Sequence, residues 1–165
     1  MIECWLKDSA SADAGHSDFW VASPKGMFYL LRGHAEDCLR GREPGTVLDV
    51  SLPAWRVGEC LLHAQRMATA LGDPLSEILF QVVWYGLANR TLVSIGDRRF
   101  MTDDDICVEP TVASPPCRVP AKTISDTLPE IVGQATGPLY AAFNFFEPPA
   151  SLFSEEMKRM RSGRP

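Results

Sequence analysis

Arg56-Val57-Gly58-Glu59-Cys60-Leu61-Leu62-His63-Ala64-Gln65-Arg66-Met67-Ala68-Thr69-Ala70-Leu71 is the stretch on which the fold turns. Val57, Cys60, Leu61, Ala64, Met67, Ala68 and Leu71 recur at intervals of three and four, the spacing that gathers side chains on one face of a helix. Arg56, Glu59, His63 and Arg66 form the polar flank. Gly72-Asp73-Pro74 follows as a stop signal, because glycine suits a left-handed cap and proline cannot continue the helix. A two-faced helix needs an apolar layer to lie on, and the sequence on either side offers short strands.

Upstream, residues 46–52 are rich in β-branched and apolar side chains and predict a strand that Pro53 ends. Residues 19–22 and 27–31 flank Ser23-Pro24-Lys25-Gly26 and predict a hairpin. Residues 8–18 are small and polar, and residues 1–18 are expected to be a flexible segment. Downstream, residues 77–87 predict a long strand, 88–90 a tight connection, 91–95 a returning strand and 105–112 a fourth weakened by Pro110, together an antiparallel meander. Residues 113–120 hold three prolines and predict an extended connector. Ile124, Leu128, Ile131, Val132 and Ala135 return to helical spacing, with a break or kink expected at Gly137-Pro138. A last helix is expected over 152–160, its start signalled by Ser151 with Glu155 and Glu156. The fold class expected is α+β: an antiparallel β-sheet with a central amphipathic helix and C-terminal helices packed on one face. It occupies a single domain over 19–160, followed by a basic tail at 161–165.

Bulk properties narrow the function classes. Of the 165 residues, 45% are hydrophobic and 22% charged, enough to bury a core without disulfides or metal. A net charge of −5 speaks against a broad nucleic-acid surface, which needs a concentrated basic face. No apolar run approaches the roughly 18–20 residues that cross a bilayer, and the N-terminus lacks the basic-then-apolar layout of a secretory signal. A cytoplasmic location with no membrane partner is expected. The five cysteines are odd in number and form no Cys-x-x-Cys pair, which suits reduced, mostly buried thiols.

Motifs that carry chemistry are scarce. Neither Gly-x-Gly-x-x-Gly nor Gly-x-x-x-x-Gly-Lys-Ser/Thr occurs, and no cofactor is expected. Glu59, Cys60 and His63 share a helix side but are too few for a closed metal site, so no metal is expected. Asp103-Asp104-Asp105 reads as a solvated turn. No nucleophile elbow is present and no catalytic residue is assigned, an enzyme centred on His63 remaining an alternative. The candidate ligand-binding residues are Trp55 and Arg56, at a helix start that favours anions, with Glu59 and His63 along the polar flank. Trp84 and Tyr85 join them as adjacent strand aromatics on opposite faces, one for the core and one free to stack. Candidate phosphate contacts are Arg98 and Arg99 with Lys158, Arg159 and Arg161 of the basic C-terminus; Arg56 and Arg90 extend that set.

The segments Leu52-Pro53-Ala54-Trp55-Arg56-Val57-Gly58-Glu59-Cys60-Leu61-Leu62-His63-Ala64 and Val83-Trp84-Tyr85-Gly86-Leu87-Ala88-Asn89-Arg90-Thr91-Leu92 carry a resemblance, joined by Leu139-Tyr140 and residues 143–146. They resemble the region that follows the Schlafen AlbA-type domain in bacterial DNA-binding or ATP-binding regulators. That domain and its glycine-containing and acidic motifs are missing here, so its nucleic-acid or ATP binding does not transfer to these residues. The resemblance implies a non-enzymatic regulatory, sensor or protein-interaction module, an accessory C-terminal domain of a nucleic-acid-linked regulator or defence protein. A protein partner or a homo-oligomer is expected, with direct nucleic-acid binding as the alternative.

Overall fold

Asp49 decides where the central helix begins. Its Oδ1 accepts the backbone N–H groups of Ser51 (2.7 Å) and Leu52 (2.9 Å), and its Oδ2 accepts that of Ile95 (2.8 Å). The first N–H groups of a helix have no partner within it, so a carboxylate there satisfies them and meets the positive end of the dipole. Helix α1 accordingly spans Leu52–Ala70. Pro53 lies in its first turn, where a missing N–H costs nothing; it opens the helix instead of merely closing a strand. Val57 and Leu61 are buried, whereas Cys60, Ala64, Met67 and Ala68 are half-buried and Leu71 is exposed. The expected apolar face is real but fades toward the helix end.

The computed structural model describes residues 2–7, 17–71, 73, 75–95, 106–145 and 147–163. Two compact units divide the chain, Met1–Leu48 and Asp49–Pro165, where the sequence reading placed one domain over 19–160.

In the first unit three strands, β1 (Ile2–Lys7), β2 (Ser17–Ala22) and β3 (Phe28–Arg32), form an antiparallel sheet in that order. The hairpin β2–β3 closes through Gly26 at φ +86°, a conformation side chains resist, with Ser23 and Met27 bonded across the turn (2.8 Å). Asp18 and Arg32 pair across the strands at 2.6 and 2.7 Å. Trp20 meets Phe28, and Phe19 meets Tyr29, each at 6.4 Å between rings. Strand β1 stands within the segment expected to be flexible, and its partner β2 lies beyond the polar stretch 8–16. A short strand β4 (Val47–Asp49), narrower than the expected 46–52, ends at the capping aspartate.

The second unit carries β5 (Glu77–Phe80), β6 (Val83–Tyr85), β7 (Thr91–Val93), β8 (Thr111–Ala113) and β9 (Cys117–Pro120). Strand β5 pairs antiparallel with β9, and β6 with β8. No meander forms: β6 takes β8 as its neighbour, and the proline-rich stretch expected to be a connector supplies β9. Between the two pairings, Gln81 and Val82 face three residues, Ser114, Pro115 and Pro116, which is a β-bulge. Proline has no N–H for the ladder, and Ser114 bridges the gap. Its Oγ accepts the Val82 N–H (3.1 Å), its own N–H donates to the Val82 carbonyl (2.9 Å), and its carbonyl accepts Gln81 Nε2 (3.1 Å). Residues 77–85 and 111–120 therefore make one long two-stranded ribbon with a bulge at its middle.

Helices α2 (Leu128–Ala142) and α3 (Ala150–Ser162) pack with α1 and with each other. The expected break at Pro138 does not occur. The N–H it lacks would serve the carbonyl of Gln134, an exposed residue. Helix α3 begins at Ala150, after Pro149, and carries Arg161 and Ser162, so the tail expected at 161–165 starts as helix. Phe153 lies against Gly133 of α2, and Met157 and Met160 lie against Gly58 of α1; a Cβ on Gly58 would come 2.7 Å from Met157 Sδ. Tyr140 of α2 donates its hydroxyl to the Val50 carbonyl (2.7 Å). The fold is α+β, with antiparallel strands against which α1 and α2 pack at β5 and β8.

Candidate interaction surface

Of the residues expected to bind a ligand on α1, Trp55, Arg56 and Glu59 are engaged with the protein itself. Half-buried Trp55 donates its indole N–H to Glu156 Oε2 (2.7 Å). Glu156, 1% exposed, lies with its Oε1 3.8 Å from Arg159 Nη1, so Trp55 ties α1 to α3. Arg56 and Glu59 form a pair at 3.4 Å with both side chains 41% exposed. Such a pair is worth about 0.3–0.5 kcal/mol. That is small beside the roughly 1.5–3 kcal/mol for burying a side chain such as Leu61, so burial, not this pair, holds α1. The anion expected at the helix start is already present as the Asp49 carboxylate. His63 is exposed, one turn beyond Glu59.

The basic candidates are likewise dispersed. Arg159 pairs with Glu155 at 3.2 Å as well as approaching Glu156, and Arg161 donates to the Ser125 carbonyl at 3.0 Å. Lys158 is exposed. Arg90 is 3% exposed and donates from Nε to the Gly86 carbonyl (2.7 Å), which removes it from any phosphate-facing surface. Arg98, Arg99, the aspartate run 103–105 and His16 lie outside the described residues. Among the described residues no group of three or more His, Cys, Asp or Glu is placed to hold a metal ion, and no helix is long and apolar enough to cross a membrane. Burial pushes the thiols of Cys107 and Cys117 up from their ordinary value.

A coherent surface emerges on the ribbon. Along residues 77–85 outward and inward positions alternate without interruption, because the bulge's extra residue sits on the other strand. Leu79 (63% exposed), Val83 and Tyr85 (57%) point outward with Glu77 and Gln81, while Trp84 points into the core. Across the ribbon, Thr111 and Ala113 share the outward side with Arg118 and Pro120, the bulge having shifted the phase between them. Glu77 and Arg118 pair on this face at 3.7 Å. Leu75 and Val108 add further exposed apolar surface near the ribbon in sequence. The sequence reading named Trp84 and Tyr85 but missed Leu79 and Val83; the signal was there, in the period-two alternation from Glu77 onward.

Compared with known proteins, the chain matches no family model, no curated protein and no solved structure.

Proposed function

We propose that this chain is a non-catalytic protein-interaction module of the regulatory kind, which takes an extended strand of another polypeptide alongside residues 77–85. The observation that carries the reading is the outward row Leu79, Val83 and Tyr85 on a strand that has one strand neighbour on each half among the described residues. Soluble domains seldom leave a row of large apolar side chains facing water, and where they do it marks a contact surface. A strand with an open edge recognises polypeptide by adding a strand, backbone bonds giving affinity and alternate side chains giving selectivity. The nucleic-acid-linked regulatory setting rests on the resemblance of residues 52–64 and 83–92 alone.

A displayed library of ten-residue peptides, selected against the purified chain, tests this. Enriched peptides are expected to alternate apolar and polar residues. Their binding should be lost with Leu79→Asp and Val83→Asp and retained with Lys158→Glu, a substitution on α3. Enrichment of nothing, or of peptides indifferent to Leu79 and Val83, overturns the reading.

A further inference from the structure

The geometry points to a second copy of this chain as a strand that docks on residues 77–85, the two copies pairing edge to edge about a two-fold axis at Gln81. This rests on the proposed strand-binding surface and names its partner. Three observations lead to it.

The two edges of the ribbon differ. The edge along residues 111–120 carries Pro115, Pro116 and Pro120, which have no N–H to offer a further strand and so blunt it. The edge along residues 77–85 carries no proline and no lysine. Val82 directs its N–H and its carbonyl to Ser114. Backbone groups alternate sides along a strand, so Gln81 and Val83 turn theirs to the other edge, the open one, which carries no strand among the described residues.

The inner layer is incomplete on that same side. Val119 of β9 is 7% exposed, whereas its cross-strand partner Ile78 is only half-buried, and Phe80 and Val82 are half-buried as well. All three are inward-facing apolar side chains beside the open edge. A neighbouring strand there would finish their burial.

The third observation is self-complementarity. An isologous contact places residue i against j and j against i. With antiparallel pairing centred on Gln81, Leu79 falls opposite Val83 of the second copy, and Glu77 opposite its Tyr85. On the inner side Ile78 falls opposite Trp84, and Phe80 opposite Val82. Apart from Tyr85, which meets Glu77, every apolar position on either face meets an apolar one, and no like charges are set against each other, as cross-strand pairing requires. Centring on Gln81 uses all nine residues, and any slip shortens the ladder. The result is a four-stranded antiparallel sheet whose outer edges are the proline-blunted ones.

Sedimentation velocity on the full chain between about 1 and 100 µM, the range that resolves micromolar association, reads the outcome directly. The expected species is a dimer of the 18.2 kDa chain that dissociates on dilution. Two double variants, Leu79→Lys with Val83→Lys and Leu79→Glu with Val83→Glu, place like charges opposite each other at both sites of the pairing. Each alone is expected to weaken association at least about tenfold. Mixing the two in equal amounts should restore the dimer, because lysine then meets glutamate. Restoration separates repulsion at this edge from simple unfolding, which mixing cannot repair. A chain that stays monomeric throughout overturns the inference, as does a dimer that neither variant weakens. A monomer that still binds the selected alternating peptides rejects the second copy while leaving the strand-binding function standing.

Discussion

Glu156 shows how a single residue binds distant parts of the chain. Its carboxylate, 1% exposed, accepts the Trp55 indole N–H at 2.7 Å and lies near the Arg159 guanidinium. A buried donor left without an acceptor costs about 1–3 kcal/mol. Glu156→Ala is therefore expected to lower the stability of the chain by about that amount, through loss of the acceptor and of packed volume. Glu156→Gln keeps an oxygen for the indole and should lose less. Urea unfolding followed by tryptophan fluorescence distinguishes the two, and equal losses would show that charge, not the hydrogen bond, is what matters. Trp55 illustrates the reach of the sequence reading at this scale. It looked available for a ligand because its partner lies 101 residues away in the chain, and no local pattern announces such a bond.

At the scale of elements the bulge at Ser114 holds the ribbon together. Ser114 is 2% exposed, and its hydroxyl is the acceptor the Val82 N–H uses where Pro115 and Pro116 interrupt the ladder. Ser114→Ala should cost about 1–3 kcal/mol, since the N–H would then be left unpaired. The urea midpoint is expected to fall with an unchanged slope; a midpoint like that of the parent chain would mean water replaces the hydroxyl. The same element explains what was legible. Helices α1 and α2 were legible from three- and four-residue spacing and α3 from its start signals at Ser151, Glu155 and Glu156, all contained within each segment, with the ends of all three misplaced by a few residues and with Pro138 tolerated. Strand partners were not legible. Residues 77–80 pair with 117–120 across about forty intervening residues, and the prolines that marked the second stretch as a connector instead sit at the bulge and the strand end. Proline at those positions is compatible with a strand, so composition alone misassigned it.

For the whole molecule the balance of charge sets the terms on which the nucleic-acid alternative is tested. The chain carries 16 basic and 21 acidic side chains, and a duplex repels such a surface unless the cations are concentrated on one face. Several of the described cations are engaged within the protein. Arg90 is inside, Arg159 is shared between Glu155 and Glu156, Arg161 is bonded to the Ser125 carbonyl, and Arg56 and Arg118 each sit beside a glutamate. Each phosphate contact made by a free cation raises the salt slope by roughly one, so binding through phosphates needs several such cations together. The expected outcome is no retardation of single-stranded DNA, duplex DNA or RNA in a gel at about 50 mM salt, the low end of the range where phosphate contacts are strongest. A shift that appears there and fades as salt rises would restore the nucleic-acid reading. Charge-reversing substitutions at Lys158, Arg98 and Arg99 would then test whether those candidates make its contacts.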